Sequence, residues 1–175
     1  LQELGEGFGT GPDALNSTDN PRSLELLVFP GADGSFDLRE DDGRFGGDVV
    51  DTAMDWRWSA DGACSFRIAA ATGAVSALPS RRRWRIVFRG VVERRGVAEG
   101  RRVEVSVGGV PLTPAVDYDS ATLSLRMTLE DVPVDSDVLV VFPDGLPMAA
   151  DPWRSDAYDL LFRAEMPYLT KEQVM

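Results

Sequence analysis

The chain has 175 residues, 43% of them hydrophobic and 27% charged, with 29 acidic and 18 basic side chains and no histidine. This length suits one domain with a substantial core and excludes a (β/α)₈ barrel, which needs about 200 residues or more. The lack of histidine excludes Ser-His-Asp and Cys-His catalysis and His-ligated zinc, and the net charge of -11 argues against nucleic acid or an anionic membrane as a partner.

The chain begins with a polar, glycine-rich segment. Residues 1–20 have glycine at every second position from 5 to 11 and end in turn-forming residues, so we expect a flexible linker. Leu1 stands first and no charged-then-apolar signal peptide is visible, so we expect a piece of a longer, cytoplasmic protein.

From residue 21 to residue 150, short apolar or alternating runs are separated by Gly, Pro and Asp, a pattern typical of β-strands. Seven runs are predicted as strands: 24–29, 35–39, 65–69, 83–88, 101–107, 122–129 and 138–142. This number of strands with turns between them predicts an all-β domain, either a sandwich or a barrel. We expect a β-sandwich of two packed antiparallel sheets.

The run 83–88 is predicted to be a central strand. Its period of two places Trp84, Ile86 and Phe88 on one face, and the valines of 101–107 repeat the pattern. Two dipeptides, Gly108-Gly109 and Asp42-Gly43, supply the positive φ angles of tight hairpin turns. We therefore expect mostly local strand pairing.

One thiol and one basic cluster interrupt these runs. Cys64 is the sole cysteine, so no intrachain disulfide can form, and we expect a buried structural thiol. The cluster Arg81-Arg82-Arg83 is interpreted as a solvated strand entry, with an interdomain ion-pair patch as the alternative.

Residues 151–175 depart from the β pattern and predict a helical extension. Ser155 can cap a helix over 156–166, which Pro167 would end. The apolar stripe of this helix consists of Ala157, Leu160, Leu161 and Ala164. An isolated helix of this length is marginal in water, so we expect the stripe to dock on the sandwich, with a partner surface as the alternative.

The most specific stretch covers residues 29–43 and is called the signature stretch below. It combines a Pro-Gly and Asp-Gly turn, a strand alternating Phe36 and Leu38 against Asp37 and Arg39, and an acidic Asp-Gly turn. This pattern alone names no function.

The signature stretch resembles that of the distal C-terminal β-sandwich domain of glycoside hydrolase family 31, the α-glucosidases and α-xylosidases. The matching residues are Pro30, Gly31, Asp33, Gly34, Ser35, Phe36, Leu38, Glu40, Asp41, Asp42 and Gly43. Arg39 departs from the family, which usually has Tyr there. The resemblance extends less specifically through 80–92 and 123–142, and so covers about residues 23–142.

The resemblance implies a non-catalytic domain without a cofactor, because the family's two catalytic carboxylates lie on a preceding (β/α)₈ barrel. That barrel would be the partner that this domain packs on and stabilises. Glu40, Asp41 and Asp42 offer carboxylates by number, but adjacent strand positions point to opposite faces and a turn leaves carboxylates hydrated. We therefore expect no catalytic pair in this triplet.

Two ligand hypotheses remain beside the structural interpretation. Asp33, Ser35 and Asp37 have the one, three, five spacing of a calcium loop, but Leu38 and Arg44 occupy the places that an EF-hand gives to Gly and Glu. A solvated turn is the preferred interpretation, and no metal site is predicted.

The second ligand hypothesis concerns Trp56 and Trp58. They lie two apart, on one strand face, where a row of aromatic rings could bind carbohydrate. Large aromatic residues on a short strand are more often buried, so core packing is preferred. A carbohydrate-binding accessory module remains the alternative function.

Overall fold

The computed structural model describes residues 2–3, 20–60, 62–92, 103–150, 158, 160, 162 and 163. The strands are β1 (Gln2–Glu3), β2 (Ser23–Val28), β3 (Gly34–Asp41), β4 (Val49–Arg57), β5 (Cys64–Ile68), β6 (Thr72–Gly73), β7 (Arg81–Arg89), β8 (Glu104–Val107), β9 (Val110–Pro111), β10 (Ala115–Asp119), β11 (Ser124–Pro133) and β12 (Val138–Phe142). A 3₁₀ turn at Val75–Ala77 precedes β7. No helix in these ranges is long and apolar enough to span a membrane.

The strands form two packed sheets, which confirms the predicted all-β sandwich. A five-stranded sheet has the order β1-β2-β7-β11-β10, and a seven-stranded sheet has the order β3-β4-β5-β12-β8-β9 with β6 paired to β4. Antiparallel pairing predominates, but β2 and β7 run parallel, with Leu26 opposite Ile86. The expectation of purely antiparallel pairing is wrong here, because the chain builds β3 to β6 in the other sheet before it returns beside β2 as β7.

The core lies between the sheets and is centred on β7, the middle strand of its sheet. Trp84, Ile86 and Phe88 are at most 3% exposed, so the predicted buried face of this strand is confirmed. The Phe88 ring packs against Trp56 and Phe142 from the facing sheet, at centroid distances of 5.5 and 5.0 Å. These contacts across the core hold the two sheets together.

Five strands of this fold have no counterpart among the seven predicted runs: the two-residue strands β1, β6 and β9, and the longer strands β4 and β10. The predicted runs agree with the other strands to within a few residues. Strand β4 buries Val50, Thr52, Met54 and Trp56 at alternate positions, but the polar Thr52 on the buried face and the apolar Ala53 on the other face weaken the alternation. Strand β10 lies at the edge of its sheet and is mostly exposed, so no burial pattern marks it.

One of the two predicted tight turns forms. Gly108 and Gly109 have φ angles of 56° and 78° and join β8 to β9 with Val107 opposite Val110. The second prediction is wrong, because β3 and β4 stop pairing at Asp41 and Val49 and leave residues 42–48 as a longer connection. The Asp41 carboxylate accepts a hydrogen bond from the Gly43 amide, which starts this loop.

The structure describes few residues at the two ends of the chain, namely Gln2 and Glu3 at one end and four residues of the 151–175 extension at the other. Gln2 and Glu3 pair with β2, so these two residues are a strand instead of part of a linker, whereas residues 4–19 lie outside the described residues. The 151–175 extension is described at four residues, all helical, and Leu160 is 73% exposed. The expected docking of Leu160 on the sandwich is therefore wrong, and Ser155, Ala157, Leu161 and Ala164 lie outside the described residues.

Cys64 is buried, as predicted. Its side chain is 1% exposed, and the Sγ donates to the Ser59 carbonyl at 3.4 Å. The thiol therefore belongs to the core at the start of β5.

Candidate functional site

The first turn of the signature stretch is fixed to the end of β4. Gly31 has a φ of 121°, which favours glycine, and it follows the buried Pro30. One oxygen of the Asp33 carboxylate accepts a hydrogen bond from the Trp58 amide at 2.7 Å, and the other lies 3.4 Å from the Arg57 guanidinium. Asp33 therefore links the turn to the neighbouring strand.

The predicted alternation along β3 is confirmed. Phe36 lies opposite the buried Met54, so Phe36 and Leu38 share the face that turns toward the facing sheet. Arg39 lies on the outer face and pairs with Asp51 at 3.6 Å, with both side chains exposed. Arg39, where the resemblance to the family fails, is thus an exposed surface residue.

Glu40 forms a buried ion pair with Arg82. Its two carboxylate oxygens each accept a hydrogen bond from the Arg82 guanidinium at 2.7 Å, and the side chains are 7% and 1% exposed. The expectations of a hydrated Glu40 and a solvated Arg82 are both wrong, because β3 and β7 direct these residues inward from the two facing sheets. The Arg82 Nε has no hydrogen-bond partner. The bonds to Glu40 are therefore the main compensation for burying the Arg82 guanidinium.

The other members of both charged clusters have partners at the surface. Arg81 pairs with Asp131 at 2.8 Å, and Arg83 pairs with Glu130 at 2.7 Å. The alternative of an interdomain ion-pair patch at this cluster therefore has no support. The Asp42 carboxylate accepts a hydrogen bond from the Arg44 amide at 3.1 Å inside the 42–48 connection.

Every carboxylate of the acidic triplet thus has a structural partner. Glu40 faces a guanidinium, and Asp41 and Asp42 accept hydrogen bonds from backbone amides. Retaining glycoside hydrolysis needs a nucleophile and a proton donor of raised pKa about 5 to 5.5 Å apart. The contacts of Glu40, Asp41 and Asp42 are hydrogen bonds and an ion pair within the sandwich.

The calcium hypothesis for Asp33, Ser35 and Asp37 gains no support. Among the described residues no group of three or more His, Cys, Asp or Glu side chains is placed to hold a metal ion. The carboxylate of Asp33 is already engaged by the Trp58 amide.

The two tryptophans do not form a displayed row of rings. Trp56 is 4% exposed and its ring centroid lies 6.3 Å from that of Trp58, which packs at the margin of the core. The indole N–H of Trp56 is buried without a hydrogen-bond partner. The two tryptophans therefore pack in and beside the core, as the preferred interpretation expects. The buried Trp56 ring offers no exposed face for a sugar.

A groove of about 330 Å³, called the corner groove below, opens between the two sheets beside the signature stretch. Its lining includes inward-facing side chains of both sheets, namely Leu26, Val28, Phe36, Met54, Trp56 and Phe66. Phe29 and Phe36 at its mouth are 69% and 52% exposed. No sequence pattern predicted this groove, because it depends on how far the two sheets overlap.

Comparison with known proteins gives matches in fold. No protein-family model matches the chain, and no curated protein matches it in sequence. Two structures of a GH31 dextranase from Flavobacterium johnsoniae, one complexed with isomaltotriose and one with glucose, match at a TM-score of 0.52 and 12% sequence identity. A glucosidase II alpha subunit matches at a TM-score of 0.43 and 18% identity.

Each match covers most of this chain but only a small part of the other protein. The dextranase match covers 69% of this chain but 16% of the dextranase. The glucosidase II match covers 69% of this chain and 14% of the other. By the dextranase match, the chain therefore has the fold of one part of that longer enzyme.

Proposed function

We propose that this chain is a non-catalytic C-terminal β-sandwich domain of a family 31 glycoside hydrolase, and that it packs on and stabilises the catalytic barrel. The parent enzyme would hydrolyse α-glucosidic or α-xylosidic bonds. The observation that carries the proposal is the bonding of four acidic residues in the signature stretch, Asp33, Glu40, Asp41 and Asp42. All four make structural contacts within a fold that matches part of a GH31 dextranase.

The contacts of the signature stretch support a structural role for it. Asp33 fixes the first turn to β4, Glu40 joins the two sheets through Arg82, and Asp41 starts the connection to β4. The motif by which the chain resembles the family is therefore a framework of the sandwich. A catalytic domain would have to lie elsewhere in the polypeptide.

The isolated chain is expected to hydrolyse neither α-glucosides nor α-xylosides, because its acidic triplet lacks the two roles of a retaining pair. Release of nitrophenol from both aryl glycosides at high protein concentration measures this. The control is the Asp41→Asn variant, which keeps an oxygen acceptor for the Gly43 amide. A rate that persists through repurification and is lost in this variant would contradict the proposal.

A further inference from the structure

We propose that the buried ion pair of Glu40 and Arg82 sets the register in which β3 pairs with β4, and thereby the position of the signature stretch on the sandwich. This inference goes beyond the proposed function and does not depend on it, because it concerns which of several pairings the strand adopts.

Strand β3 is held from one side. It lies at the edge of the seven-stranded sheet and pairs, among the described strands, with β4, where Glu40 is opposite Val50. Strand β4 is paired on its other side with β5 and β6. A change of register would therefore move β3 along a fixed β4.

The apolar side chains of β3 do not select one register by themselves. A shift by one residue would turn the inward side chains to solvent, but a shift by two residues keeps every side chain on its face. Phe36 is 52% exposed and Leu38 is partly buried, so neither fills a closed site. A shift that brings Phe36 opposite Trp56 would give it an apolar neighbour like its present one, Met54.

The Glu40 carboxylate, in contrast, fits one register. Its oxygens each accept a hydrogen bond from Arg82 at 2.7 Å, and the two side chains are 7% and 1% exposed. A shift by two residues moves Glu40 by about 7 Å and separates the charges. In the register that brings Phe36 opposite Trp56, Asp42 would take the place of Glu40, and its side chain is shorter by one methylene group. Because a buried charge without its partner is strongly destabilising, the shifted registers are disfavoured.

The Arg82 guanidinium is held in place within its own sheet. Strand β7 lies between β2 and β11, and Arg82 is opposite Val132. The guanidinium also lies 5.9 Å from the centroid of the Trp84 ring, which is within the range of a cation–π interaction. Two parallel hydrogen bonds from a planar guanidinium to one carboxylate fix the orientation of both groups. Arg82 is thus a fixed point against which β3 is aligned.

The Asp33 link at the other end of β3 is a weaker determinant of register. Its carboxylate accepts a hydrogen bond from the Trp58 amide, but the Asp33 side chain is 56% exposed. Polar contacts at the surface contribute little, because water competes for both partners. We therefore expect Asp33→Ala to leave the register of β3 unchanged.

Disulfides between β3 and β4 measure the register. Asp37→Cys, on the outer face of β3, is combined with Asp51→Cys, Ala53→Cys or Asp55→Cys on the outer face of β4. The combination with Ala53→Cys reports the present register, and the other two report a shift by two residues in either direction. Cysteines directly opposite one another can form a disulfide, whereas diagonal neighbours about 7 to 8 Å apart are too distant. Cys64 is 1% exposed and is common to all variants.

The first test removes the ion pair in the double variant Glu40→Leu, Arg82→Met. Exchange with glutathione measures the effective concentration of each cysteine pair. With the ion pair intact, the pair that includes Ala53→Cys should exceed the other two by about a hundredfold or more, and the double variant should reduce this ratio by at least about tenfold. The matched control Glu130→Leu, Arg83→Met makes the same two changes in a surface ion pair and should leave the ratio as it was. An unchanged ratio in the first variant, or an equal fall in both, would overturn the inference.

The second test moves the carboxylate along β3 instead of removing it. Glu40→Leu combined with Asp42→Glu leaves one glutamate two residues further along the chain. This glutamate reaches Arg82 when position 42 takes the present place of Glu40, which would shorten the 42–48 connection to 44–48. Hairpin connections of this length are common, so the shifted pairing is sterically accessible.

A moved carboxylate should move the strand with it. In the second test, the effective concentration is expected to be highest for Asp37→Cys with Asp55→Cys, and a maximum that stays with Ala53→Cys would overturn the inference. Arg82 keeps a counter-charge in this variant, so the inference stays testable where removal of the ion pair prevents folding. Circular dichroism verifies that each variant retains the sandwich. Failure of either test would leave the proposed function standing.

Discussion

Glu40→Gln is expected to lower the free energy of unfolding by about 3 to 5 kcal/mol, a large part of the stability of a typical domain. The substitution keeps the size of the side chain but leaves the Arg82 guanidinium, which is 1% exposed, without its counter-charge. Urea unfolding at neutral pH measures the loss. Asp131→Asn is the control, because it breaks the exposed ion pair with Arg81 and should cost at most about 1 kcal/mol.

The double variant Glu40→Leu, Arg82→Met distinguishes the contribution of the charges from the contribution of the buried volume. Replacing a buried ion pair by apolar side chains of similar volume is often neutral or stabilising by about 1 to 4 kcal/mol. The double variant should therefore be more stable than Glu40→Gln. A loss below about 1 kcal/mol for Glu40→Gln would contradict the buried geometry of the pair.

Phe88→Ala is expected to cost about 3 to 5 kcal/mol, because it removes the ring at the centre of the contact between the sheets. The Phe88 ring is fully buried and packs edge-on against Phe66 and Phe142 at centroid distances of 6.3 and 5.0 Å. Urea unfolding again measures the loss of stability.

Phe45→Ala is the matched control for Phe88→Ala. The same atoms are removed, but Phe45 is fully exposed in the 42–48 connection and its loss should leave stability within about 0.5 kcal/mol. Similar losses for the two variants would show that Phe88 is not at the centre of the core.

The alternation of apolar residues in 83–88 predicts the central strand, because a strand in the middle of a sheet that packs on a second sheet buries one of its two faces. The same period, continued one step back, places Arg82 on the face of Trp84 and Ile86. Glu40 likewise follows Phe36 and Leu38 at alternate positions. The strand positions of Glu40 and Arg82 thus indicate two inward-facing side chains. The buried ion pair is absent from the predictions because charged residues are normally exposed.

Other features depend on contacts between distant parts of the chain. The parallel pairing of β2 with β7 joins residues about sixty positions apart, and no local pattern favours it. The corner groove arises from incomplete cover of Phe36 by the facing sheet, which the alternation along β3 does not show. Candidate site residues in the signature stretch were located by the motif, but their bonding partners, such as Trp58 for Asp33, required the fold.

The most direct test of the account is the thermal unfolding of the complete polypeptide encoded by the gene, with and without the segment that corresponds to the 175 residues of this chain. Unfolding is monitored together with hydrolysis of an aryl α-glucoside and an aryl α-xyloside. We expect that the complete polypeptide hydrolyses at least one of them, and that removal of the domain lowers the unfolding temperature of the catalytic part while the catalytic carboxylates remain in place. An unchanged unfolding temperature, or hydrolysis that is retained by the isolated chain and lost from the remainder, would contradict it.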